Sequence, residues 1–474
     1  LGILTWLAYL HLATTYPLAD YVAKFTLTDF GRANNWHSVV GIDFILSTFG
    51  ALLFCLLAWV IARRHPRNKQ LLWLIVGFAL LFAFTLLAMY PITATDIFEY
   101  VFHSRILVHY GQNPLAVPPS AFKGDPFLKS IPWSPHPSPY GPLWVLLTVP
   151  GSLLAGNDFL LGLYLMKGLT IPFYLGSVLL IVAILQHLNS DYKLAGTLLF
   201  AWNPLILFEV PGNGHNGIMM MLFALLATYL TVRRQWVWVV PALVASVLIK
   251  WVTAILLIPF LIYCWRAQPD SRARWMYLAK TSLISAMIVI LAALPFLAIP
   301  TGLLEEANFY SLLALPSLAY HILKGTYGDK IAKGLTIGTG LLTYLGLYAI
   351  ALRSLWRNLN SRHLVLLNVF LIVAYLGIAN MHFQPWFVVW PIALGIWINH
   401  PVVRPVLIVF TGSALFSYVA NFWWIWNYRI WGVLQVNLIF VLVVFVPPIL
   451  IGVLSRLLTM RLQYRKMTGR RAAD

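Results

Sequence analysis

Apolar runs recur along the whole chain and are separated by short polar breaks. A run of about 20 apolar residues can cross the hydrocarbon core of a bilayer as a helix, and the polar breaks mark where helices begin and end. The pattern therefore predicts an all-α polytopic membrane protein. The clearest predicted spans are 1–18, 39–62, 71–90, 159–186, 194–208, 217–232, 277–299, 331–352, 364–378, 386–398, 406–420 and 432–454.

Two further apolar segments do not fit a single crossing. Segment 143–155 is short and contains Pro150, so we expect a surface or re-entrant helix there. Segment 236–265 has basic residues beyond both of its ends, which places both ends on the same side of the membrane. We therefore expect two short helices that meet at an outer turn near Lys250.

The basic residues cluster in short loops and at the end of the chain. The main clusters lie at 63–69, 233–234, 266–280, 353–362 and 456–471. Because cytoplasmic loops are enriched in Lys and Arg, this distribution predicts that both termini are cytoplasmic and gives about 14 membrane helices in all.

This topology divides the chain into four parts and turns two large loops outward. The parts are N-terminal membrane helices (1–70), a core (71–330) with outer loops at 91–142 and 300–330, C-terminal membrane helices (331–455) and a basic cytoplasmic tail (456–474). Because the chain begins with Leu1 and not with Met, we expect the native start to precede it. We predict no cleavable signal peptide.

The composition agrees with a membrane protein. Of 474 residues, 61% are hydrophobic and 10% are charged, whereas a soluble domain has roughly 25% charged residues. In a soluble protein a net charge of +18 would suggest nucleic acid binding. Here the loop positions of the basic residues explain it, so we expect the lipid bilayer and no nucleic acid as a partner. Cys55 and Cys264 lie in separate apolar helices and are expected to be core residues.

Acidic residues are few, and most of them fall in the predicted outer segments. Only 14 residues are Asp or Glu. Asp96 and Glu99 closely follow the outward helix 71–90, and their spacing puts both on one face of a helix. One interpretation is helix capping, with Thr95 or Asp96 at the N-cap. The other is catalysis or binding, because an acid at the mouth of a membrane helix is a functional candidate.

Two more polar groups lie in predicted outer turns. Lys250 has apolar neighbours in "ASVLIKWVTAILL", so its ammonium either meets an anion or water at the turn or extends to the interface. The stretch "GNGHNG" (212–217) holds Asn213, His215 and Asn216 and opens a helix. Its free backbone amides suit a phosphate or a sugar, and the alternative is a plain turn with Asn216 as N-cap.

A third polar cluster precedes the predicted span at 386–398. His382, Gln384 and Trp386 stand there in "NMHFQPWF", where a polar ligand or an interfacial aromatic belt would explain them. The chain has no HExxH, CxxC, Walker or GxSxG motif and no DxD. Because DxD is the usual metal clamp of nucleotide-sugar enzymes, we expect no cofactor, no divalent metal and no nucleotide-sugar donor.

The first outer loop resembles that of a known enzyme family. The stretch "TDIFEYVFHSRILVHYGQNPLAVPP" is similar to the first outer loop of GT-C glycosyltransferases, above all the bacterial polyprenyl-phosphomannose-dependent mannosyltransferases. The matching positions are Asp96, Tyr100, Arg105, Asn113 and Pro114. Ser104 stands where that family often has Gly.

Four later motifs resemble the same family in the same order. "SPYGPLW" is similar to its proline-rich step after the loop, and "GNGHNG" to a motif of its mannosyltransferase branch, although Gly217 stands where an acid is common. "LIKWV" is similar to the helix that carries a Lys in contact with lipid phosphate. "FQPWFVVWPIAL" resembles a late helix of that branch.

The resemblance implies a GT-C-like bundle and a reaction. The enzyme would move a sugar, mannose by analogy, from a polyprenyl phosphate to a glycan, lipid or protein acceptor on the outer face, with inversion. Asp96 would be the general base, and Arg105 and Lys250 would hold the donor phosphate. The other candidate substrate-binding residues are Glu99, Tyr100, Asn113, Tyr140, Asn213, His215, Asn216, His382, Gln384 and Trp386.

A transporter or a flippase of lipid-linked sugars is the main alternative. Such a protein would also use membrane charges and helices broken by Gly, but it would hold its key charges near the bilayer midplane. Here the acids gather in the predicted outer segments, which favours an enzyme. A scaffold subunit would leave those acids without a function.

Overall fold

The computed structural model describes residues 1–24, 39–296, 302, 309–421 and 432–471. Three acids of the predicted outer segments, Asp29, Glu305 and Glu306, lie outside the described residues. Within those ranges the fold is helical without a β-sheet, and one isolated antiparallel bridge pairs Pro17 with Met89. This confirms the predicted all-α class.

The α-helices are numbered here in chain order. They are α1 (Gly2–Thr15), α2 (Leu18–Lys24), α3 (Val39–Arg64), α4 (Lys69–Leu87), α5 (Asp96–Val108), α6 (Pro142–Ala155), α7 (Phe159–Leu188), α8 (Lys193–Ala201), α9 (Pro204–Leu207), α10 (Gly217–Val232), α11 (Trp236–Val247), α12 (Leu257–Arg266), α13 (Ser271–Ala293), α14 (Leu315–Tyr327), α15 (Asp329–Arg357), α16 (Ser361–Ala374), α17 (Val389–Gly395), α18 (Val403–Ala420), α19 (Val433–Val444) and α20 (Val446–Arg471).

Short helices of other types continue or join these elements. Two are π-helices, at Phe208–Gly212 and Tyr375–Ala379. The others are 3-10 helices at Pro119–Ala121, Leu128–Ser130, Ser190–Tyr192, Trp251–Leu256 and Pro385–Val388.

The described part of the chain has eight helices that are long and apolar enough to cross a membrane, or nine if one bent pair counts as a span. The eight are Gly41–Arg64, Lys69–Leu87, Phe159–Leu188, Ser271–Ala293, Asp329–Arg357, Ser361–Ala379, Val403–Ala420 and Val433–Gln463. The protein is therefore a multi-pass membrane protein. The predicted count of 14 is not confirmed, because several predicted spans are short apolar helices of 10–17 residues.

Two apolar segments are interrupted in the structure, and the sequence predicted only the first of these interruptions. The 236–265 segment is broken as predicted: α11 ends at Val247 and a turn at Lys250 leads into the 3-10 helix and α12. The 194–208 segment, predicted as one helix, bends by 44° between α8 and α9. Asn203 causes the bend, because its side chain caps α9 by accepting from Leu205 N and Ile206 N, and Pro204 follows at the first helical position.

A buried lysine fixes the start of the first outer loop. Lys167 lies inside α7 with no exposed surface, and its Nζ donates to the carbonyl oxygens of Leu86, at 3.0 Å, and Met89. Leu86 lies in the last turn of α4 and Met89 just beyond its end, where backbone carbonyls can accept from other groups. The end of α4 is thereby held against α7, only a few residues before α5 begins.

Candidate active site

A cavity of about 250 Å³ lies where the N-terminal end of α5 meets the loop that follows it, the turn at Lys250 and the 3-10 helix Pro385–Val388. The structure brings seven of the residues singled out in the sequence to its wall. They are Asp96, Glu99, Tyr140, Lys250, His382, Gln384 and Trp386. Their sequence positions span most of the chain, so the fold itself assembles the cavity.

Asp96 is the first residue of α5 and faces this cavity. Its side chain is 23% exposed, and Oδ2 accepts a hydrogen bond from the Tyr140 hydroxyl at 3.3 Å. The Tyr140 hydroxyl lies 3.2 Å from that of Tyr100, which is buried beneath it. The N-cap residue, Thr95, makes no side-chain capping bond. Tyr100 therefore supports Tyr140 from below and does not line the cavity itself.

The glycine-rich stretch "GNGHNG" brings a histidine to Asp96. Gly214 adopts a φ of +81°, and a Cβ there would lie 2.5 Å from Ile97 Cδ1 of α5. Only glycine permits this close approach of the loop to α5. As a result His215 Nδ1 lies 3.7 Å from Asp96 Oδ2, and the His215 ring stacks on Trp386 with a centroid distance of 4.4 Å.

His215 is held as a neutral imidazole between two acidic residues. Burial, and then the charge of Lys250, lower the pKa of His215 well below its usual range. On its other side, Nε2 lies 3.3 Å from Oε2 of the fully buried Glu209. A neutral imidazole can carry its proton on either nitrogen, so it can carry the proton on Nδ1, which faces Asp96.

Glu209 and Asn213 hold the glycine-rich loop from behind. Glu209 accepts hydrogen bonds from Asn213 Nδ2, at 2.8 Å, and from the Tyr418 hydroxyl. Asn213 Nδ2 also donates to Thr93 Oγ1, at 2.7 Å, just before α5. Asn213 thus ties the loop to the segment that carries Asp96 and does not line the cavity.

Asn216 stands at the N-cap of α10, as the turn interpretation predicted, but its side chain makes no capping bond. Instead Asn216 lines a much smaller cavity beside the first one, together with His215, Lys250 and Trp386. Its buried Nδ2 has no hydrogen-bond partner within the described ranges. The glycine-rich loop therefore presents both His215 and Asn216 on the same side as Lys250.

Backbone pairing between two distant motifs sets the position of Lys250. The amides of Gly141 and Leu143 donate to the carbonyls of Ile249 and Leu248, each at 3.0 Å. A Cβ at Gly141 would lie 2.1 Å from Leu248 O, so no other residue fits there without moving the turn. The pairing joins "SPYGPLW" to "LIKWV".

Aromatic rings surround the ammonium group of Lys250. Nζ lies 5.2 Å from the ring centroid of Tyr140, 4.9 Å from that of Phe387 and 5.3 Å from that of Trp390. Such cation–π contacts stabilise an ammonium in a site with little water. The charge is thereby held in the wall of the cavity, among aromatic rings.

A second cavity, of about 430 Å³, adjoins the first and has a largely apolar wall. It extends from the turn at Lys250 to Ile337 of α15 and the π-helix Tyr375–Ala379. The residues that line both cavities are Lys250, Phe309, His382 and Phe387. Lys250 therefore stands at the junction of a cavity that holds Asp96 and Glu99 and a cavity that has no acid among the described residues of its wall.

Glu99 and His103 form the wall of the first cavity beyond Asp96. Glu99 is 5% exposed, and its Oε1 accepts from the backbone amide of Trp133 at 2.6 Å. Burial, followed by the charge of Asp96, raises the pKa of Glu99 to about 8, although the Trp133 bond lowers it. The sequence analysis missed His103 and His136, which also line the cavity. Helical spacing could have found His103, because it follows Asp96 by seven residues, about two turns.

Arg105 and Asn113 line none of the three cavities, and their expected roles in binding stay predictions. Arg105 Nε pairs with Asp125 Oδ2 at 2.7 Å, with both side chains buried, and its NH1 donates to Gly156 O and Asn157 Oδ1. Asn113 Oδ1 accepts from Leu115 N in a local turn. Arg105 thus fastens the first outer loop to the α6–α7 connection.

Replacing Arg105 by Ala is expected to destabilise the protein by about 3–5 kcal/mol, because it leaves the buried Asp125 carboxylate without its cationic partner. Thermal unfolding of the detergent-purified variant measures this. The double variant Arg105→Met/Asp125→Leu removes both charges and should recover most of the loss. An Arg105→Ala variant with wild-type stability and poor use of donor would instead support a phosphate-binding role.

Comparison with known proteins adds to this geometry. The family model for the alpha-(1->6)-mannopyranosyltransferase N-terminal domain matches residues 11–267, more than half of the chain. That range contains Asp96, His215 and Lys250, whereas Trp386 lies beyond it. Alpha-(1->6)-mannopyranosyltransferase A of Mycobacterium tuberculosis is 24% identical over 366 residues, which cover 72% of this chain and 68% of the relative. No solved structure gives a significant match.

These similarities, together with the helical membrane fold, decide between the enzyme and the transporter. The matching family model describes a transferase. The matched range covers more than half of the chain and includes the glycine-rich loop and the turn at Lys250. The GT-C-like mannosyltransferase predicted from the sequence is thereby confirmed at the level of family. The chain belongs to the alpha-(1->6)-mannopyranosyltransferase family and is a membrane glycosyltransferase.

Proposed function

We propose that the protein transfers mannose from a polyprenyl-phosphate carrier to a saccharide acceptor at the outer face of the membrane, with inversion at the anomeric carbon. The observation that carries this proposal is the position of Lys250, between a cavity that holds Asp96 and Glu99 and a second cavity whose wall, in the described part of the chain, has no acid. A lipid-phosphate sugar consists of a polar sugar, a phosphate and an apolar chain, in that order. With the phosphate at Lys250, the sugar would lie in the first cavity and the chain in the second.

The donor fits this junction by its chemistry. Its phosphate would meet Lys250 and the polar atoms of His215 and Asn216, which line the adjoining small cavity with it. The polyprenyl chain would occupy the apolar second cavity, while the sugar would enter the cavity at Asp96 and Trp386. Trp386 would offer its ring to an apolar sugar face.

Asp96 supplies the general base in this proposal. The acceptor hydroxyl attacks the anomeric carbon, a new C–O bond forms, and the bond from that carbon to the phosphate oxygen breaks. The electron pair leaves with the phosphate, whose charge Lys250 offsets, and the hydroxyl proton passes to Asp96. A single displacement inverts the anomeric carbon, so an alpha product requires a beta-linked donor.

Transfer of labelled sugars tests the proposal. Purified protein in lipid would be incubated with octyl alpha-D-mannopyranoside and with labelled polyprenyl-phosphate mannose, glucose or arabinose. Labelled GDP-mannose serves as the soluble comparison. We expect label from polyprenyl-phosphate mannose alone, at the same rate with excess EDTA as with Mg²⁺ or Mn²⁺. Transfer from GDP-mannose, or a strict need for a divalent ion, would contradict the proposed donor chemistry.

Cysteine labelling tests the side of the membrane. Lys123, in the loop after α5, and His65, between α3 and α4, are both exposed. With an impermeant thiol reagent outside intact cells, Lys123→Cys should react and His65→Cys should not. The native Cys55 and Cys264 are both buried, which keeps the background low. The opposite labelling pattern would place the cavity on the cytoplasmic side.

A further inference from the structure

We propose that Glu99 and the aromatic side chains near it form a subsite for the sugar ring of the acceptor, in which Glu99 Oε2 donates a hydrogen bond to an oxygen beside the attacking hydroxyl. This inference rests on the proposed function and assigns the acceptor side of the same cavity. It also states what the enzyme recognises: a saccharide ring, and not only the lipid or protein that carries it.

The two oxygens of Glu99 have different surroundings. Oε1 is fixed by the backbone amide of Trp133 at 2.6 Å. Oε2 is buried and has no hydrogen-bond partner in the part of the chain that the structure describes. Leaving a buried polar atom without a hydrogen-bond partner is unfavourable. Because Glu99 lines the cavity, a ligand there can supply the missing partner.

The position of Glu99 on α5 suits an acceptor. Residues three apart on a helix have Cβ atoms about 5–6 Å apart, so Glu99 and Asp96 face the same volume. An acceptor whose hydroxyl lies at Asp96 would place another oxygen of the same molecule at Glu99. The donor phosphate would lie on the other side of Asp96, towards Lys250 and the second cavity.

Aromatic rings make up the nearby wall at the cavity mouth. Phe309 lies 6.2 Å from Trp133 and 5.1 Å from His136, centroid to centroid, and 5.9 Å from His382. All four residues line the cavity, and Trp133 is 51% exposed although it is large and apolar. Rings that flank a fixed carboxyl group suit a ligand with apolar C–H faces and hydroxyl edges, which describes a pyranose.

The protonation state of Glu99 agrees with hydrogen-bond donation. Its pKa is raised to about 8, chiefly by burial, so the carboxyl group is neutral at pH 7 and becomes ionised above pH 8. Donation from Oε2 is therefore available below that pH and lost above it. The titratable groups that share the cavity with Glu99 are Asp96, His103, His136, Tyr140, Lys250 and His382.

The test measures acceptor KM with octyl alpha-D-mannopyranoside and its 2-, 3- and 4-deoxy analogues, all of which keep the 6-hydroxyl group. For Glu99→Ala we expect acceptor KM to rise about 10-fold with donor KM unchanged. Glu99→Gln keeps an acceptor for the Trp133 amide and a donor for the sugar, so its KM should stay near wild type. With the analogue that lacks the oxygen bound by Glu99, wild-type KM should rise by a similar factor. In Glu99→Ala, the same analogue and the parent acceptor should have equal KM values.

The pH profile separates this role from a structural one. Wild-type acceptor KM should rise above pH 8, whereas Glu99→Gln should give a flat profile through that range. Asp329→Asn, an exposed acid that does not line the cavity, is the matched control. Suppose that wild type transfers mannose but every deoxy analogue raises acceptor KM by the same factor in Glu99→Ala as in wild type. The subsite is then wrong and the proposed function stands. If wild type moves no label from polyprenyl-phosphate mannose, both proposals fail.

Discussion

Replacing Asp96 by Asn should slow mannosyl transfer by about 10²-fold or more, because the amide cannot accept the proton of the acceptor hydroxyl. Asn has the size of Asp and caps a helix about as well, so a purely structural role at the start of α5 predicts a near-normal rate. The measurement is the transfer rate at saturating donor and acceptor, on variants matched in thermal stability.

Glu99→Gln is the matched control for Asp96→Asn, three residues further along α5. Both changes turn a carboxyl group into an amide in the same cavity. Because Glu99 is neutral at pH 7, its amide substitute should keep the rate within about threefold. If Asp96→Asn transferred sugar at near wild-type rate, Asp96 would not be the base. Glu209 and His215 would then be the next groups to examine.

Lys250→Met is the second change for which we expect a large effect, a fall in kcat/KM for the donor of about 10²-fold. The substitution removes the ammonium that would offset the charge of the departing phosphate. Met keeps the apolar stem among the rings of Tyr140, Phe387 and Trp390, so packing should survive. The rate is measured as a function of polyprenyl-phosphate mannose, with acceptor held at saturation.

Lys324→Met is the control for Lys250→Met. Lys324 lies in α14 and pairs with the exposed Asp329 at 2.8 Å, outside both large cavities. Its loss should leave donor use unchanged, since exposed pairs contribute little. Equal donor kinetics for Lys250→Met and wild type would show that Lys250 serves only as an anchor of the turn.

Much of the helical architecture can be read from the sequence because bilayer thickness and loop charge constrain it strongly. The break near Lys250 is an example, since basic residues at both ends of 236–265 exclude a single span. The bend at Asn203 was missed, because the apolar pattern of 194–208 continues through it. Local capping chemistry, and not hydropathy, sets that boundary.

The site residues also divide into those whose positions a sequence pattern predicts and those whose positions it does not. Asp96, Glu99 and His103 share one helix face, so helical spacing alone brings them together. Arg105 follows Asp96 by nine residues, about two and a half turns, and this puts it on the opposite face of α5. Its partner, Asp125, is 20 residues away along an irregular loop, and no local pattern indicates that pairing. Motif resemblance could mark Arg105 as important but not distinguish a binding role from a structural one.

The close contact at Gly141 has a consequence for how genetic variation in this protein should be interpreted. A single methyl group at that position would collide with Leu248 O, at 2.1 Å, and force the two paired segments apart. Tyr140 and Lys250 would then separate, although Gly141 itself lines neither large cavity. A Gly141→Ala allele would thus behave like the loss of Lys250 itself. A conservative missense change at a residue that lines neither large cavity would carry the phenotype of an active-site lesion.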